Sequence, residues 1–598
     1  MSALRKAGLH LPGVRCGRLL SSAWTRLAPL FLASCAATVL GQQRGGNAAP
    51  SAAASAARAV DVSSDPVLQA MSEELNRSKT SLKMGNLPAP YYIEFHVSDV
   101  EDFTAEASFG AIRLNQRAHS RSMRVVVRLG DYKQDSYVGP GTGVTSLAPL
   151  DDDHVALRRA LWLAADRAYK SATQALASKQ AAQNEFSSDQ GFDDFAHAQP
   201  LQSIRPLARL DVDTQRWTEM LVNSTALFKS DPKLQSFSAQ AHFRVLNQYF
   251  VNSEGSVTRQ GSEVDSLAIS GTTQAADGMR LERTPDFVAS KTADLPTPEE
   301  FQAAAADVIN DLKALREAPL VEEDYQGPLL LGADAAADEV FAMIGPMVRA
   351  NVNAPAGRGR GGPNNAPAGR GGRGAAPQAV GNPTSNYKSR VLPTFMFAFD
   401  DPTMSTFQGR SLVGNYEIDD EGVRAAKVSL IEKGQLVNYL LGRQPMRDFP
   451  DSNGHGRAGP GQTPRASVGN LVLQAAEPLS PEELKKKLID MCRGDNKPYG
   501  YYVKALSLQS PGLLYRVYVQ DGHEELVRGA VFNEFDERSL RNDMVAAGSD
   551  PIVSNRDAAI PTTVISPSLL FDDLELRRGS DKNPTLPKYN PPDLTLSQ

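Results

Sequence analysis

Side chains that could bind a metal ion or act as a nucleophile are sparse in this chain. Eight histidines and three cysteines occur among 598 residues, and no HExxH or HExxxH sequence is present. Zinc enzymes use such spacing because it puts two ligands on the same face of a helix. The His523-Glu524 pair follows Asp521-Gly522 and is interpreted as a surface turn. Cys492 stands alone, and no nucleophile-elbow, phosphate-loop or dinucleotide-binding motif occurs.

Carboxylates are the remaining candidates for chemistry. Asp400-Asp401 and Asp419-Asp420-Glu421 are clusters at the ends of predicted strands. Paired carboxylates can act as general acid and base. The same residues also form turns, because their side chains bond to nearby backbone amides, and we favour that interpretation.

Composition excludes several classes of protein. Hydrophobic residues make up 41% and charged residues 22%, with a net charge of −6. These values are typical of a globular protein and exclude a collagen, a coiled-coil rod and a multi-span membrane protein. The mild acidity gives no sign of a nucleic-acid surface, and three cysteines are too few for a disulfide-built scaffold.

The N-terminus resembles a targeting segment. No acidic residue precedes Asp61, and basic residues precede the apolar run Leu27–Leu40, which is too short to span a bilayer comfortably. We therefore predict a signal peptide over residues 1–41 and a flexible tether over residues 42–64. The four residues ending at Cys35 also resemble a lipobox, which would leave Cys35 acylated. Both alternatives predict an exported protein of the periplasm or cell envelope, and the lipobox predicts a lipoprotein.

The rest of the chain divides into two blocks. Residues 65–318 mix helix and strand patterns, and residues 319–580 are β-rich. The second block contains a Gly/Arg/Pro-rich insert, 351–386, which we predict to be disordered because such a composition cannot bury apolar surface. RGG-like chemistry could bind RNA, but a solvated insertion is favoured. Residues 581–598 are predicted to be a frayed tail.

Apolar periodicity and capping residues predict the individual elements. Helices are expected from a cap at Asp151-Asp152-Asp153 to about residue 183, and over about 213–231, 297–315, 335–348 and 480–492. Strands are expected over 88–97, 103–112, 121–129, 237–250, 257–269, 328–332, 395–399, 423–431, 436–441, 501–506, 513–519 and 525–534.

The carboxylate clusters belong to an ordered series of motifs that resembles a known family. In order, the series is Asn252-Ser253-Glu254-Gly255, Asp400-Asp401-Pro402, Asp419-Asp420-Glu421-Gly422-Val423, Glu432-Lys433-Gly434, Tyr439 to Arg443, Ser452 to Arg457 and the closing segment Pro561 to Leu576. This series resembles the TldD/PmbA family, also called modulator of DNA gyrase.

The resemblance implies an α+β fold of two domains, an α/β N-terminal domain and a β-rich C-terminal domain. It also implies dimers in which one subunit binds zinc through HExxxH on a helix early in the second domain. In this chain the matching positions are Asp338, Glu339 and Met343. A thioether is a poor zinc ligand, so the chain resembles the metal-less, PmbA/TldE-like subunit. The family motifs also suggest substrate-channel residues, namely Asp420, Glu421, Gly422, Gly454, His455 and Arg457.

The function expected from this resemblance is that of a metallopeptidase-related protein. The chain would complete and stabilise a zinc peptidase acting on peptides or unfolded segments. It would hold no metal itself, and zinc would lie in a TldD-like HExxxH partner subunit. Two alternatives stay open: a self-sufficient metallopeptidase with a non-standard site, and a non-enzymatic envelope protein that binds peptides as a homodimer. No nucleic-acid partner is expected, and membrane contact is expected only through a lipid anchor.

Overall fold

The computed structural model describes residues 62–137, 141, 143–185, 192–350, 386–507, 510–579, 585–587, 589 and 592. The predicted signal peptide with Cys35, the tether up to residue 61, the insert up to residue 385 and most of the predicted tail lie outside these residues. The described residues belong to one compact unit. None of the described helices is long and apolar enough to cross a membrane.

The N-terminal half is built on a large, mainly antiparallel sheet whose order is β3-β2-β1-β5-β6-β4, with β7 and β8 also pairing with β6. Its helices are α1 Pro66–Ser81, α2 His154–Glu185, α3 Thr214–Thr225 and α4 Pro298–Glu317. Its strands are β1 Tyr92–Ser108, β2 Ala111–Arg128, β3 Val144–Leu147, β4 Gln202–Ile204, β5 Ser236–Asn252, β6 Val257–Gln274, β7 Arg280–Arg283 and β8 Asp286–Ala289.

Strand periodicity gives this sheet two different faces. Odd-numbered residues of β1, such as Phe95 and Phe103, are buried in apolar clusters with the helices. Successive side chains of a strand point to opposite faces, so Tyr92, Glu94 and His96 point away from the helices. These polar residues lie toward the C-terminal half of the chain, where they take part in the site described below.

The C-terminal half is β-rich, as predicted, and contains a seven-stranded and a six-stranded sheet within the described residues. Its helices are α5 Ala333–Met347, α6 Pro481–Gly494 and α7 Glu537–Asn542. Its strands are β9 Tyr325–Leu331, β10 Met396–Asp400, β11 Thr406–Phe407, β12 Arg410–Ser411, β13 Val428–Glu432, β14 Gln435–Leu436, β15 Gly456–Arg457, β16 Arg465–Ala466, β17 Asn470–Ala475, β18 Tyr499–Ser507, β19 Ser510–Tyr518, β20 Glu524–Val527, β21 Ala530–Asn533, β22 Met544–Ala547, β23 Ile552–Arg556, β24 Thr562–Ser566 and β25 Leu569–Arg578.

The two C-terminal sheets share one apolar core. The seven-stranded sheet has the order β20-β19-β18-β9-β25-β21, with β22 also on β25, and the six-stranded sheet has the order β14-β13-β10-β17-β24-β23. Helix α5 contributes Val340 and Ile344 to the cluster that also contains Leu329 of β9 and Leu471 of β17. This places α5, the helix with the predicted degenerate metal motif, in contact with both sheets. The α+β fold class is confirmed.

Candidate functional site

The loop Asp419–Gly422 is held by its own side chains. One carboxylate oxygen of Asp419, Oδ1, accepts hydrogen bonds from the amides of Glu421 (3.0 Å) and Val423 (2.8 Å). Its Oδ2 accepts one from the amide of Gly456 (2.9 Å). Asp419 therefore forms the predicted turn and also fastens it to the loop that contains His455.

Asp420 connects the same turn to the N-terminal sheet. Its Oδ2 accepts hydrogen bonds from Arg457 Nε (3.1 Å) and from the amide of Ala458 (2.7 Å). Its Oδ1 accepts one from Nε2 of Gln248 on β5, at 2.5 Å. The carboxylate is buried and has partners from both halves of the chain, so it joins them.

Glu421 lies in a space that only glycines leave open. A Cβ atom placed on Gly442 or Gly456 would come within 2.3 and 2.1 Å of Glu421 Oε2. The same oxygen accepts a hydrogen bond from the amide of Arg443 (2.6 Å). Burial raises the pKa of the Glu421 carboxyl above its ordinary value, because water no longer stabilises the charge.

Two glycines of the family motifs have backbone conformations that favour glycine. Gly422 has φ of +75°, and a Cβ there would meet Phe250 Cε1 at 2.3 Å. Gly454 has φ of +77°, and a Cβ there would meet the carbonyl oxygen of Arg424 at 2.3 Å. Both positions therefore require glycine for the loops to approach their neighbours.

His455 is fully buried and has both ring nitrogens engaged. Nε2 lies 3.1 Å from Asp400 Oδ1, and Nδ1 lies 3.0 Å from Asn453 Oδ1. Asp400 also accepts hydrogen bonds from the amides of Gly469 and Asn470. These contacts fix the orientation of the imidazole inside the protein.

The six predicted substrate-channel residues thus come together in one cluster. Arg457 completes it by stacking its guanidinium over the Tyr416 ring at 3.9 Å. The polar side chains of the cluster are less than a tenth exposed and bond mainly to one another and to backbone groups. Their place in a substrate channel stays a prediction.

Arg443, a fully buried charged side chain of this region, was not among the predicted site residues. Its guanidinium forms two hydrogen bonds with Glu254, and it stacks on Phe195 at 4.1 Å. Both charged residues lie inside motifs that carried the family resemblance, at the end of Tyr439 to Arg443 and in Asn252 to Gly255. Their position inside these two motifs was the sequence feature that could have identified them as site residues.

A second ion-paired group lies beside the Arg443–Glu254 pair, on β1 and β2. Tyr92 donates a hydrogen bond to Glu94 (2.7 Å), and Arg124 Nη1 donates one to the same carboxylate (3.1 Å). Burial opposes the charge of Glu94, but His96 and Arg124 hold the pKa of its carboxyl below its ordinary value. The group is therefore an internal ion-pair network that faces the C-terminal half.

A small polar cavity lies between the β1–β2–β5 surface and the loop after Arg457. The volume open to water-sized molecules is about 20 Å³, which suits a single water. Its lining includes His96, Arg124, Gln248, Asp420 and Gly459. This space is too small for a peptide.

Helix α5 carries the residues predicted to be a degenerate metal motif. Asp338 forms a close ion pair with Arg556 of β23. Glu339 is buried, and burial followed by the charge of Asp338 raises the pKa of its carboxyl to about 7. Asp338 also raises the pKa of Asp334, second to burial. Met343 is half-buried against the apolar core.

Residues 382–578 match the model of the PmbA/TldA metallopeptidase C-terminal domain. This C-terminal region belongs to the PmbA/TldD family. The predicted family resemblance is thereby confirmed.

Three solved structures share the fold of this chain. A candidate modulator of a DNA gyrase from Thermotoga maritima is 15% identical, with a TM-score of 0.55 over 84% of this chain and 99% of its own. TldE from Thermococcus kodakarensis is 12% identical, with a TM-score of 0.55 over 85% and 100%. A candidate modulator of DNA gyrase from Bacteroides thetaiotaomicron is 12% identical, with a TM-score of 0.54 over 87% and 99%. No curated protein sequence matches.

The donor atoms on α5 do not fit the zinc ion of the PmbA/TldD metallopeptidases. The first motif position is an aspartate already neutralised by a guanidinium, and the last is a methionine. Catalytic zinc sites use three protein ligands drawn from His, Cys, Asp and Glu. Within the described residues no group of three such side chains could hold a metal ion.

Proposed function

We propose that this PmbA/TldD-family chain is a metal-less subunit that completes and stabilises a zinc peptidase. Zinc would lie in a related partner subunit with an HExxxH helix. The substrates would be peptides or unfolded segments, which a channel shared by the two subunits would hold. This chain would form its part of the channel wall and would stabilise the assembly.

The observation that supports this proposal is the ion pair between Asp338 and Arg556. The guanidinium of Arg556 neutralises the carboxylate of Asp338 at the first motif position. A zinc-binding family member would have an imidazole at that position. Met343 at the last position offers only a thioether. The rest of the motif series forms a bonded cluster, so the fold is kept although the metal donors are absent from α5.

The decisive experiment measures zinc and peptidase activity in the full chain, purified alone and after co-expression with a related HExxxH chain. We expect no stoichiometric zinc and no cleavage of a casein-derived peptide mixture by the chain alone. We expect a one-to-one complex that contains zinc and cleaves the mixture. Stoichiometric zinc together with chelator-sensitive cleavage by the isolated chain would overturn the proposal.

A matched pair of variants separates a structural role of α5 from a metal role. Met343→Leu keeps the apolar volume and removes the sulfur, so the activity and zinc content of the complex should be unchanged. Asp338→Asn breaks the ion pair with Arg556 and should lower the thermal stability of this subunit without changing the zinc content. Loss of zinc in the Met343→Leu variant would contradict the assignment.

The same samples test the two alternatives. A self-sufficient metallopeptidase would use a site such as His455 with Asp420 and Glu421, and His455→Ala would then abolish metal binding by the isolated chain. A non-enzymatic peptide-binding protein would be a homodimer that retains the peptides uncut. Either result would replace the metal-less subunit as the proposed function.

Export to the periplasm or cell envelope is part of this proposal. It is supported by the basic and apolar sequence before Gly41. Fractionation of cells that express the full chain should place it outside the cytoplasm. Cys35→Ser should release it from membranes only if the lipobox is used.

A further inference from the structure

One face of α2 presents apolar and cationic side chains together. Val155 is 71% exposed, Trp162 44% and Leu163 42%, although large apolar side chains are usually buried. Residues three, four, seven or eight apart share a face of a helix. We call this the α2 outer face, and it consists of Val155, Arg159, Trp162, Leu163, Asp166, Arg167 and Lys170.

The charge of the α2 outer face is positive. Arg159, Arg167 and Lys170 are exposed. The one carboxylate of the face, Asp166, is neutralised by Lys170, whose Nζ lies 2.6 Å from Asp166 Oδ2. Two arginines therefore add an unbalanced positive charge to the exposed tryptophan, leucine and valine.

A groove between α1 and α2 extends this face. Val155, Arg159 and Trp162 line it from α2, and Arg77 lines it from α1. The groove is open and its volume is about 250 Å³. Arg77 is held in place by a close ion pair with the buried Glu74, which also lines the groove and balances its charge, so Arg159 gives the groove its positive charge.

The same helical layer is where the described chain begins. Helix α1 starts at Pro66 and packs against α2, with Arg158 Nη1 2.9 Å from Glu73 Oε2. Glu73 is eight residues from the cap Asp65, which corresponds to about 12 Å of helix. The described chain therefore enters this helical layer about two turns of α1 before the contact of Glu73 with α2. The sequence before this point is the predicted signal peptide and tether, with Cys35 as the predicted lipid anchor if the lipobox is used.

We propose that the α2 outer face lies on the surface of an anionic phospholipid membrane. Tryptophan and leucine enter the interface between head groups and acyl chains, and arginine and lysine are attracted to anionic head groups. This contact would hold the body of the protein against the membrane, in addition to any lipid anchor. It goes beyond the proposed function and does not depend on the zinc-bearing partner.

The test uses the full chain and sedimentation with vesicles of phosphatidylcholine, with or without phosphatidylglycerol. We expect tighter binding to the anionic vesicles, and weaker binding at high salt because the attraction is screened. The double variant Val155→Ser/Trp162→Ser should weaken binding by about tenfold. The double variant Arg159→Glu/Arg167→Glu should abolish the preference for anionic vesicles.

Matched controls exclude general effects of surface changes. Ile112→Ser/Leu114→Ser alters two exposed apolar residues of β2, and Lys486→Glu alters an exposed cation of α6. Both should bind vesicles like the unaltered chain. Unchanged binding by the α2 variants would show that the N-terminal segment alone binds, and would overturn the proposal. A smaller assembly in light scattering of the α2 variants would identify a protein interface instead, and would also overturn it.

Discussion

The guanidinium of Arg443 and the carboxylate of Glu254 form a bidentate ion pair at the junction of the two halves of the chain. Nη1 donates to Oε2 at 2.8 Å and Nη2 donates to Oε1 at 2.7 Å. Arg443 is fully buried, and its remaining N–H groups reach the carbonyl of Ala196 and the hydroxyl of Tyr92. Because every donor of this buried cation has a partner, the pair fixes the junction.

The first prediction concerns this pair. Glu254→Gln should lower the free energy of unfolding by about 3–5 kcal/mol, because it leaves the buried charge of Arg443 uncompensated. Urea unfolding would measure the loss. Glu417→Gln is the matched control, since Glu417 pairs with Arg205 across the same two halves but both side chains are more than half exposed. That change should cost at most about 1 kcal/mol, and an equal loss in both variants would contradict the role of burial.

The second prediction concerns the space occupied by Glu421. Gly456→Ala should destabilise the protein by about 1–3 kcal/mol, because the new methyl group overlaps the Glu421 carboxylate. The double variant Gly456→Ala/Glu421→Ala should lose less free energy of unfolding than the sum of the losses in the two single variants. Gly494→Ala is the control, because nothing lies within 4 Å of a Cβ at that position. If the decreases in thermal unfolding temperature of the two single variants add up to that of the double variant, the methyl group does not overlap the carboxylate.

The third prediction is a pH dependence at His242. Hydrogen bonds to Asp102 and Asp557 raise the pKa of its imidazole to about 9. A raised pKa in the folded state means that protonated His242 stabilises the fold fully below about pH 6.5, and that this contribution is lost as the pH rises through 9. A proton NMR titration of the imidazole measures the pKa directly. A midpoint near 6.5 would refute the prediction, and His242→Gln should remove this part of the pH dependence of unfolding.

The fourth prediction concerns Asp265, which is fully buried and accepts no hydrogen bond within the described part of the chain. Burial, and next the neighbouring Glu263, raise the pKa of its carboxyl to about 8. The neutral acid is therefore favoured in the fold, and its ionisation costs stability as the pH rises from about 4 to 8. Asp265→Asn should be more stable than the unaltered chain at pH 9 by at least about 1 kcal/mol.

The measurement for Asp265 is the free energy of unfolding of the Asp265→Asn variant and of the unaltered chain at pH 5, 7 and 9, from which the difference is taken at each pH. This difference should grow with pH. Asp307→Asn changes an exposed aspartate on α4 and serves as the control, with no change expected. A difference that does not vary with pH would show that Asp265 is not the titrating group.

Local features of the fold followed directly from the sequence. Thr297 and Ser480 form capping boxes with Glu300 and Glu483, and α4 and α6 begin where these residues predicted. The turn at Lys433-Gly434 joins β13 to β14 as expected. Such features depend on bonds within a few residues, so the sequence contains all the atoms that form them.

Features that depend on distant partners were harder to predict. Strands were predicted over 103–112 and 121–129, but β2 is continuous from Ala111 to Arg128 because β1 pairs with its whole length. The strand predicted over 436–441 is reduced to Gln435–Leu436. Beyond it, the amide of Leu441 bonds to the side chain of Asn453 instead of to a neighbouring strand.

The sequence by itself determined the family resemblance, the α+β class and the absence of imidazoles from the α5 motif, since these are properties of residue type and order. Only the tertiary structure decided that Arg556 neutralises Asp338 and that Arg443 meets Glu254. These partners lie 218 and 189 residues apart in the chain. No local pattern specifies such pairs, because they form only when separate sheets bring their charges together in a space without water.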